Sequence, residues 1–232
     1  MFDLLLRAAV ALGLIATLIY ALAYSWNDGH GPLRSLTKTL ALLPLALLWL
    51  VTSLIAAEPG WVMAVGLLLG VLGDYLLSRP GERAFLAGMA AFGLGHVIYA
   101  LALFGRAEAL GLPEMGGTQF WGLAALLGLV ASTEIWLAPY TGRLRWPVRA
   151  YVLVIALLGA VAVMLPLNPG QEELRTGVIL FLISDLLLAL RMFRARSEGL
   201  RRLLGLALWP AYVLGQLLIA WGSALYWTFP QG

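Results

Sequence analysis

The chain alternates between long apolar stretches and short segments rich in proline, glycine and charge. A helix needs roughly 20 apolar residues to cross the hydrocarbon layer of a bilayer, and eight stretches approach or reach that length. Each is too long and too evenly apolar for the alternating strands of a membrane barrel. The predicted spans are 4–24, 36–57, 61–77, 84–104, 120–138, 148–167, 176–193 and 203–227. This pattern predicts an all-α membrane bundle of eight helices that forms a single domain over residues 1–232.

The composition narrows the classes of function. Hydrophobic residues make up 62% of the chain and charged residues 12%, whereas a soluble domain has about 25% charged residues. The loops are too short for a soluble catalytic or DNA-binding domain, and the net charge of +3 comes from loop arginines, so nucleic acid is not an expected partner. The chain has no cysteine, which excludes thiolate nucleophiles, disulfides and cysteine-ligated metals. The function therefore lies within the bilayer or at its face.

The basic residues are unevenly divided between the two sides of the predicted bundle. The side that holds both termini carries only Arg7, Arg106 and Arg175. The other side carries Arg34, Lys38, Arg79, Arg83, Arg143, Arg145, Arg149, Arg191, Arg194, Arg196, Arg201 and Arg202. Basic loops face the cytoplasm in membrane proteins. We therefore expect an integral protein of a bacterial inner membrane with its N and C termini outside the cytoplasm.

The first span could also be interpreted as a signal peptide, because Ala21-Leu22-Ala23 is similar to a cleavage site. Asp3 and a single arginine precede its apolar part, which is a weak match to a signal peptide. Cleavage would also place Arg34 and Lys38 outside the cytoplasm. We therefore expect a retained helix.

Helices two to four and six to eight show signs of an internal repeat. Lys38 precedes Asp74 by 36 residues, and Arg149 precedes Asp185 by the same 36. Gly66 and the sequence leading to Asp74 align with Gly177 and the sequence leading to Asp185, and Leu94-Gly95-His96 aligns with Leu214-Gly215-Gln216. An offset of four helices keeps the membrane orientation, so the repeat would be parallel, with a site at the interface of its halves. Coincidence in a leucine-rich composition is the alternative.

Four acidic or imidazole side chains lie inside the spans: Asp74, His96, Glu134 and Asp185. Such groups are costly in hydrocarbon unless they face the bundle interior, so each is a candidate for function. At about 1.5 Å per residue, both aspartates lie in the cytoplasmic half at similar depth, and His96 lies near the midplane, too deep to contact both.

Each candidate also has a purely structural interpretation. Ion pairs from Lys38 to Asp74 and from Arg149 to Asp185 would lock helices together without any chemistry. His96 would then be a polar contact between helices, and Glu134 a charge at the membrane surface. The glycines at 66, 70 and 73 are explained by close helix packing alone.

Two buried acids nevertheless suit one kind of chemistry. A carboxyl group in an apolar site keeps its proton, while one beside a cation stays ionised, and this difference gives one general acid and one charge-stabilising base. Cleavage by water at an acetal-like or enol-ether oxygen needs such a pair. A single-chain phospholipid fits the predicted depths. Its phosphate would meet Lys38 and Arg149, its glycerol-linked bond would lie by the aspartates, and its tail would point towards His96.

Other chemistries lack their residues. The chain has no His-Glu-x-x-His motif, and since one of its two histidines is the loop residue His30, it cannot build a zinc site from three histidines. Ser78, Ser132 and Ser184 lack a nucleophile-elbow motif.

The same residues resemble the YhhN-like lysoplasmalogenase family of eight-span membrane proteins. The resemblance covers nearly the whole chain. It rests on Thr37-Lys38, Leu72-Gly73-Asp74 with Leu76-Leu77, the stretch from Phe85-Leu86-Ala87-Gly88 to Gly95-His96-Val97-Ile98-Tyr99, and Leu182-Ile183-Ser184-Asp185-Leu186-Leu187-Leu188-Ala189. This chain departs from the family pattern at Thr39, where a proline commonly follows the lysine.

The resemblance implies hydrolysis of the vinyl ether bond of lysoplasmalogens to a fatty aldehyde and glycerophosphoethanolamine or glycerophosphocholine. It implies a lysophospholipid substrate and no metal or organic cofactor. Carried onto this sequence, with the candidates above, it assigns catalysis to three residues and substrate binding to five. The catalytic residues are Asp74, Asp185 and His96, and the binding residues are Lys38, Arg149, Tyr99, Gln216 and Glu134.

Two other classes of function remain open at this stage. A proton-coupled transporter of lipids or small molecules also uses intramembrane carboxylates and parallel repeats. A non-catalytic scaffold would use the carboxylates only to pin helices together. Which aspartate would act as the acid and the oligomeric state are also open.

Overall fold

The computed structural model describes residues 2–55 and 60–228, and this part of the chain is helical throughout, apart from turns and loops. Its nine α-helices are α1 (Phe2–Ala23), α2 (Pro32–Leu40), α3 (Leu43–Ile55), α4 (Trp61–Leu77), α5 (Glu82–Leu110), α6 (Gly117–Trp136), α7 (Arg145–Val163), α8 (Gln171–Phe193) and α9 (Glu198–Thr228). Within the described residues, seven helical segments are long and apolar enough to cross a membrane, and α4 is a shorter apolar helix of 17 residues. The prediction of an all-α membrane bundle is confirmed, and the chain is an integral membrane protein.

The second predicted span differs most from the structure, because it consists of two helices instead of one. Helix α2 begins at Pro32, four residues before the predicted start, and ends at Leu40. Helix α3 follows after a two-residue turn and contains Pro44 in its first turn. Proline has no amide hydrogen and clashes with the carbonyl four residues earlier, here that of Leu40, so the helix is interrupted at this point. The predicted end at Ala57 lies outside the described residues.

Other helix ends differ because hydropathy marks the apolar part of a helix and not its polar ends. Helix α5 continues to Leu110, six residues beyond the predicted end, and α8 begins at Gln171, five residues before the predicted start. Helix α7 ends at Val163, four residues before the predicted end. Pro166 explains this end, since the residues before a proline disfavour helical geometry.

Two pairs of neighbouring helices pack through matching glycines. A Cβ atom added at Gly95 of α5 would lie 3.0 Å from the carbonyl oxygen of Gly66 in α4, and one added at Gly215 of α9 would lie 3.0 Å from that of Gly177 in α8. Only glycine allows backbones to approach this closely. Gly66 aligns with Gly177, and Gly95 with Gly215, in the predicted repeat. These contacts support the repeat, which stays a prediction.

The helix arrangement places Asp74 of α4 and Asp185 of α8 in the interior of the bundle. Helix α4 packs along α5, α8 packs along α9, and α9 also contacts α4 and α1. Helix α5 contacts α7, which lies between α6 and α8. Asp74 on α4 is 1% exposed and Asp185 on α8 is 10% exposed in its side chain. Both acids therefore lie in the bundle interior.

The glycine contacts lead to a test of packing. A methyl group at Gly66 would overlap the ring of Tyr99, whereas one at Gly128 of α6 would meet no atom within 4 Å. We expect Gly66→Ala to lower the free energy of unfolding by about 1–3 kcal/mol through overpacking. Gly128→Ala should leave it unchanged or slightly higher. Thermal unfolding of the two variants in the same detergent measures the difference, and equal melting temperatures would contradict the packing described.

Candidate active site

Asp74 lies in a cluster built by three helices. Its Oδ1 is 3.1 Å from Nζ of Lys38, which lies in the last turn of α2. The hydroxyl of Tyr212 on α9 donates a hydrogen bond of 2.6 Å to Oδ2 of Asp74. The lysine side chain is 13% exposed. The carboxylate therefore has a cation on one oxygen and a neutral donor on the other.

Asp185 lies in a second cluster with neutral or titratable partners. The hydroxyl of Tyr151 on α7 donates to Oδ2 of Asp185 over 3.3 Å, and Nε2 of His96 on α5 lies 3.4 Å from the same oxygen. In the described part of the chain, no lysine or arginine forms an ion pair with Asp185. The two acids therefore differ in electrostatic surroundings, although both lie inside the bundle.

The contacts of His96 restrict where its proton can lie. Its Nδ1 is 2.6 Å from the carbonyl oxygen of Phe92, and because a carbonyl only accepts hydrogen bonds, Nδ1 carries a hydrogen. Nε2 then faces Asp185 either as a lone pair or as a second N–H. At 3.4 Å from Oδ2 of Asp185, this buried nitrogen is close to the carboxyl group but forms no hydrogen bond with any described residue.

A single cavity joins the two acid clusters. Asp74, Lys38, Tyr212 and Asp185 all line it, and it holds about 1270 Å³ counting the part open to the outside. Phe92 lines it between the clusters, and its ring packs edge-on against that of Tyr212 with 5.8 Å between centroids. Both acids therefore line the same cavity.

The open end of this cavity is polar. It is lined by residues of the loop after α1, of α2 and of the α8–α9 region, namely Ser25, Asp28, Gly29, His30, Arg34, Arg191 and Arg201. The guanidinium of Arg191 donates to backbone oxygens of Ser25 and Asn27 and to Oδ1 of Asp28. Nε of Arg201 lies 3.3 Å from Oδ2 of Asp28. The mouth therefore lies on the arginine-rich side of the bundle.

The structure corrects the expected position of Arg149. Arg149 does not pair with Asp185 and does not line the cavity; it forms a bidentate ion pair with Glu134 of α6 and lies over the ring of Trp146. The side chains of Arg149 and Glu134 are 28% and 47% exposed. Positions two apart on a helix point in nearly opposite directions, so Tyr151, and not Arg149, reaches Asp185. The structural interpretation of Glu134 as a surface charge matches this geometry.

Tyr99 and Gln216 are buried but do not line the cavity. The Tyr99 hydroxyl donates a hydrogen bond of 3.0 Å to Oε1 of Gln216. Both the Gln216 amide nitrogen and the Tyr212 hydroxyl lie near Gly70, at 2.9 and 3.6 Å from a Cβ added there. The pair therefore lies beside Tyr212, where it can position that tyrosine but cannot contact a ligand directly.

Sequence reasoning missed five residues of the site: Tyr151, Tyr212, Arg34, Arg191 and Arg201. The arginines were counted only for orientation, although their position beside the predicted acids on the same membrane side was a usable signal. Nothing distinguished the two tyrosines among the eight in the chain. Tyr212 was the easier to find, since it lies one helical turn before Gln216.

Comparison with known proteins gives one family. A model of the YhhN family matches residues 33–223. A protein of Mycobacterium bovis named lysoplasmalogenase is 27% identical over 169 residues, which cover 72% of this chain and 62% of that protein, and one of Mycobacterium tuberculosis with the same name matches equally. A protein of Bos taurus named lysoplasmalogenase TMEM86A is 28% identical over 220 residues, covering 88% of this chain and 84% of that protein.

The chain thus spans about 62% of the length of the mycobacterial relatives that it matches. No solved structure matches the chain.

The Lys38–Asp74 pair allows a test of the site's electrostatics that needs no substrate. Asp74→Asn leaves a buried ammonium without its counter-charge, which costs about 3–5 kcal/mol, so the melting temperature should fall. Lys38→Gln should have a similar effect. The double variant, with two neutral amides, should recover much of the loss in a double-mutant cycle measured by thermal unfolding. Simple addition of the two losses would show that the groups do not interact.

Proposed function

The chain belongs to the YhhN family, and from this premise we propose that it is a membrane hydrolase of lysoplasmalogens. It would cleave the vinyl ether bond and release a fatty aldehyde and glycerophosphoethanolamine or glycerophosphocholine. The names of the mycobacterial and bovine relatives support the substrate class. The single observation that carries the proposal is that two buried acids with different partners, Asp74 and Asp185, line one cavity.

The different partners assign a role to each acid. Asp74 has a fixed counter-charge, because Nζ of Lys38 lies 3.1 Å from its Oδ1. Asp185 faces Tyr151 and His96 and has no fixed cation within ion-pair distance in the described residues. An imidazole can relay a proton to a carboxyl group, and Nε2 of His96 lies 3.4 Å from Oδ2 of Asp185. Asp185 is therefore the general acid in this proposal, with His96 as its proton partner, and Asp74 stabilises positive charge.

The reaction then proceeds in three steps. Asp185 donates a proton to the vinyl carbon that does not bear oxygen, and the electron pair of the double bond forms the new C–H bond. The positive charge that develops at the carbon bearing oxygen is stabilised by Asp74. Water adds to that carbon and returns a proton to Asp185, giving a hemiacetal. The hemiacetal collapses to the aldehyde as its proton moves to the glycerol oxygen, so one water is consumed and no proton is gained or lost.

In this proposal the phosphate binds at the polar, open end of the cavity and not beside Arg149, to which the sequence had partly assigned it. Arg34, Lys38, Arg191 and Arg201 line the cavity. Guanidinium groups bind phosphate through two parallel hydrogen bonds. Arg201 is 39% exposed and Arg191 13%, so Arg201 is the more accessible to a headgroup. We place the headgroup at this mouth, on the side that the positive-inside rule assigns to the cytoplasm.

Replacing the acids tests the proposal directly. Asp185→Asn should lower kcat for aldehyde release by about 10²–10⁴-fold, the usual contribution of a general acid. Asp74→Asn should lower it by about 10²-fold through lost charge stabilisation. The measurement is aldehyde release from a lysoplasmalogen by purified protein in detergent.

Glu172→Gln is the matched control, because Glu172 is an exposed carboxylate on the same helix as Asp185 and lines neither cavity. It should behave as the wild type. Wild-type rates in both aspartate variants would overturn the acid pair. Mass spectrometry showing an unchanged lipid after incubation with the folded wild type would favour a transporter instead.

The headgroup site gives a separate test. Arg201→Gln should raise KM about fivefold with little change in kcat, because about 1 kcal/mol of a half-exposed charge contact is lost. Arg202→Gln is the control, since Arg202 lies over the Trp26 ring, with 4.9 Å to its centroid, and does not line the cavity. Steady-state kinetics on one lysoplasmalogen measures both. If Arg201→Gln had the same KM as the wild type, Arg201 would not contribute to binding of the headgroup.

A further inference from the structure

A second cavity lies beside the first and is almost entirely apolar. It is bounded by α5, α6, α7 and α8, with Leu77 of α4 at one end. Its lining consists mainly of leucine, isoleucine, valine, alanine, methionine and aromatic side chains, and its one carboxylate is Asp185. It holds about 870 Å³ counting the part open to the outside, which is within the range of small-molecule sites.

The two cavities share a wall. Leu77, Phe85, Phe92, Asp185, Leu188 and Met192 line both of them. One carboxylate therefore stands where a polar, arginine-rich cavity meets an apolar one. A ligand that used both cavities would need a charged end, a hydrocarbon end and a reacting bond between them.

The apolar cavity has the length and opening that suit a single hydrocarbon chain. Its lining on α6 runs from Leu126 to Trp136, which is about 15 Å along the helix axis. Leu129, which also lines it, is 41% exposed, so the cavity reaches the outer surface of the bundle there. In a membrane protein that surface meets lipid tails. The chain of a lipid can therefore reach this cavity without passing through water.

We propose that the apolar cavity binds the hydrocarbon chain of the lysolipid and so fixes the vinyl ether against Asp185. This inference rests on the proposed function, and it names one occupant, a single alkenyl chain that enters from the lipid layer beside α6. The continuity with the polar cavity favours this occupant over a separate apolar ligand, because a lysolipid matches both linings at once.

The contribution of this cavity is positioning rather than affinity. The hydrocarbon layer is as apolar as the cavity lining, so moving a methylene group from one to the other gains little free energy. A hydrocarbon chain held in the apolar cavity, however, limits where the bond next to it can lie, and small displacements of a reacting bond greatly lower the reaction rate. Blocking this cavity should therefore slow the reaction of long-chain substrates more than that of short-chain substrates.

The test enlarges a small residue that lines the apolar cavity. Ala156 of α7 lines the apolar cavity and lies five residues, or about 7.5 Å, beyond Tyr151, the partner of Asp185. Ala156→Phe should lower kcat/KM for a long-chain lysoplasmalogen at least about tenfold. A lysoplasmalogen whose chain spans less than this distance should keep nearly its wild-type rate.

Ala150→Phe is the matched control. Ala150 lies on the same helix, is exposed and lines neither cavity. It should leave the rates on both chain lengths unchanged. The proposal would be overturned if folded Ala156→Phe and wild-type protein showed the same ratio of kcat/KM between the long-chain and the short-chain substrate.

A second measurement is independent of turnover and of the folding of any variant. The wild type is incubated with an ether-linked lysolipid that cannot be hydrolysed and that carries a photoreactive diazirine at the end of its chain. Crosslinks mapped by mass spectrometry should lie on residues that line the apolar cavity, such as Leu126 and Ile155. If crosslinks were found only on outward-facing residues such as Leu127, which is 70% exposed, the apolar cavity would not be the binding site of the hydrocarbon chain. Crosslinks of this probe in the apolar cavity, together with no aldehyde release from a lysoplasmalogen in a parallel assay, would reject the proposed hydrolysis and retain the lipid site.

Discussion

The requirement that a charge inside an apolar bundle has a partner determines much of this structure. The Lys38–Asp74 pair meets it by joining α2 to α4, and Tyr212 adds α9 to the same carboxylate. Lys38 lies in the last turn of α2, next to the negative end of that helix. The interruption at Pro44 ends α2 shortly after this turn and lets the second span be built from two shorter helices. The cation, the acid and the tyrosine thus form one wall of the cavity.

The two acids are held crosswise by the two halves of the predicted repeat. Asp74 of the first half accepts from Tyr212 of the second, and Asp185 of the second half contacts His96 of the first. A site at the interface of parallel halves has this property. The partners of the two acids differ, because Asp74 contacts a lysine and Asp185 contacts a histidine and a tyrosine. That difference makes one acid a charge stabiliser and the other a proton donor in the proposed reaction.

The sequence predicted which acids are buried better than it predicted which way side chains point. Asp74, Lys38, Asp185 and His96 were found because charge is costly in a span, whatever its rotation. Arg149 was misplaced because α7 is apolar around most of its surface, so hydropathy gives no rotational phase for the helix. Contacts such as that of Tyr151 with Asp185 depend on that phase and on the packing of distant helices, which a single sequence does not encode in a local pattern.

The position of Asp185 at the junction of the two cavities bears on how a hydrolase can work inside a membrane. The polar cavity opens among arginines and can admit water and a headgroup, while the apolar cavity opens beside α6. Water and a hydrocarbon chain would then approach the same carboxylate by separate routes. Because the apolar lining excludes water from the chain side, water would reach the oxocarbenium carbon from the polar cavity, which both acids line. The same wall residue, Phe92, packs on Tyr212 and accepts from His96 through its carbonyl, so one helical position couples the geometry of both acids.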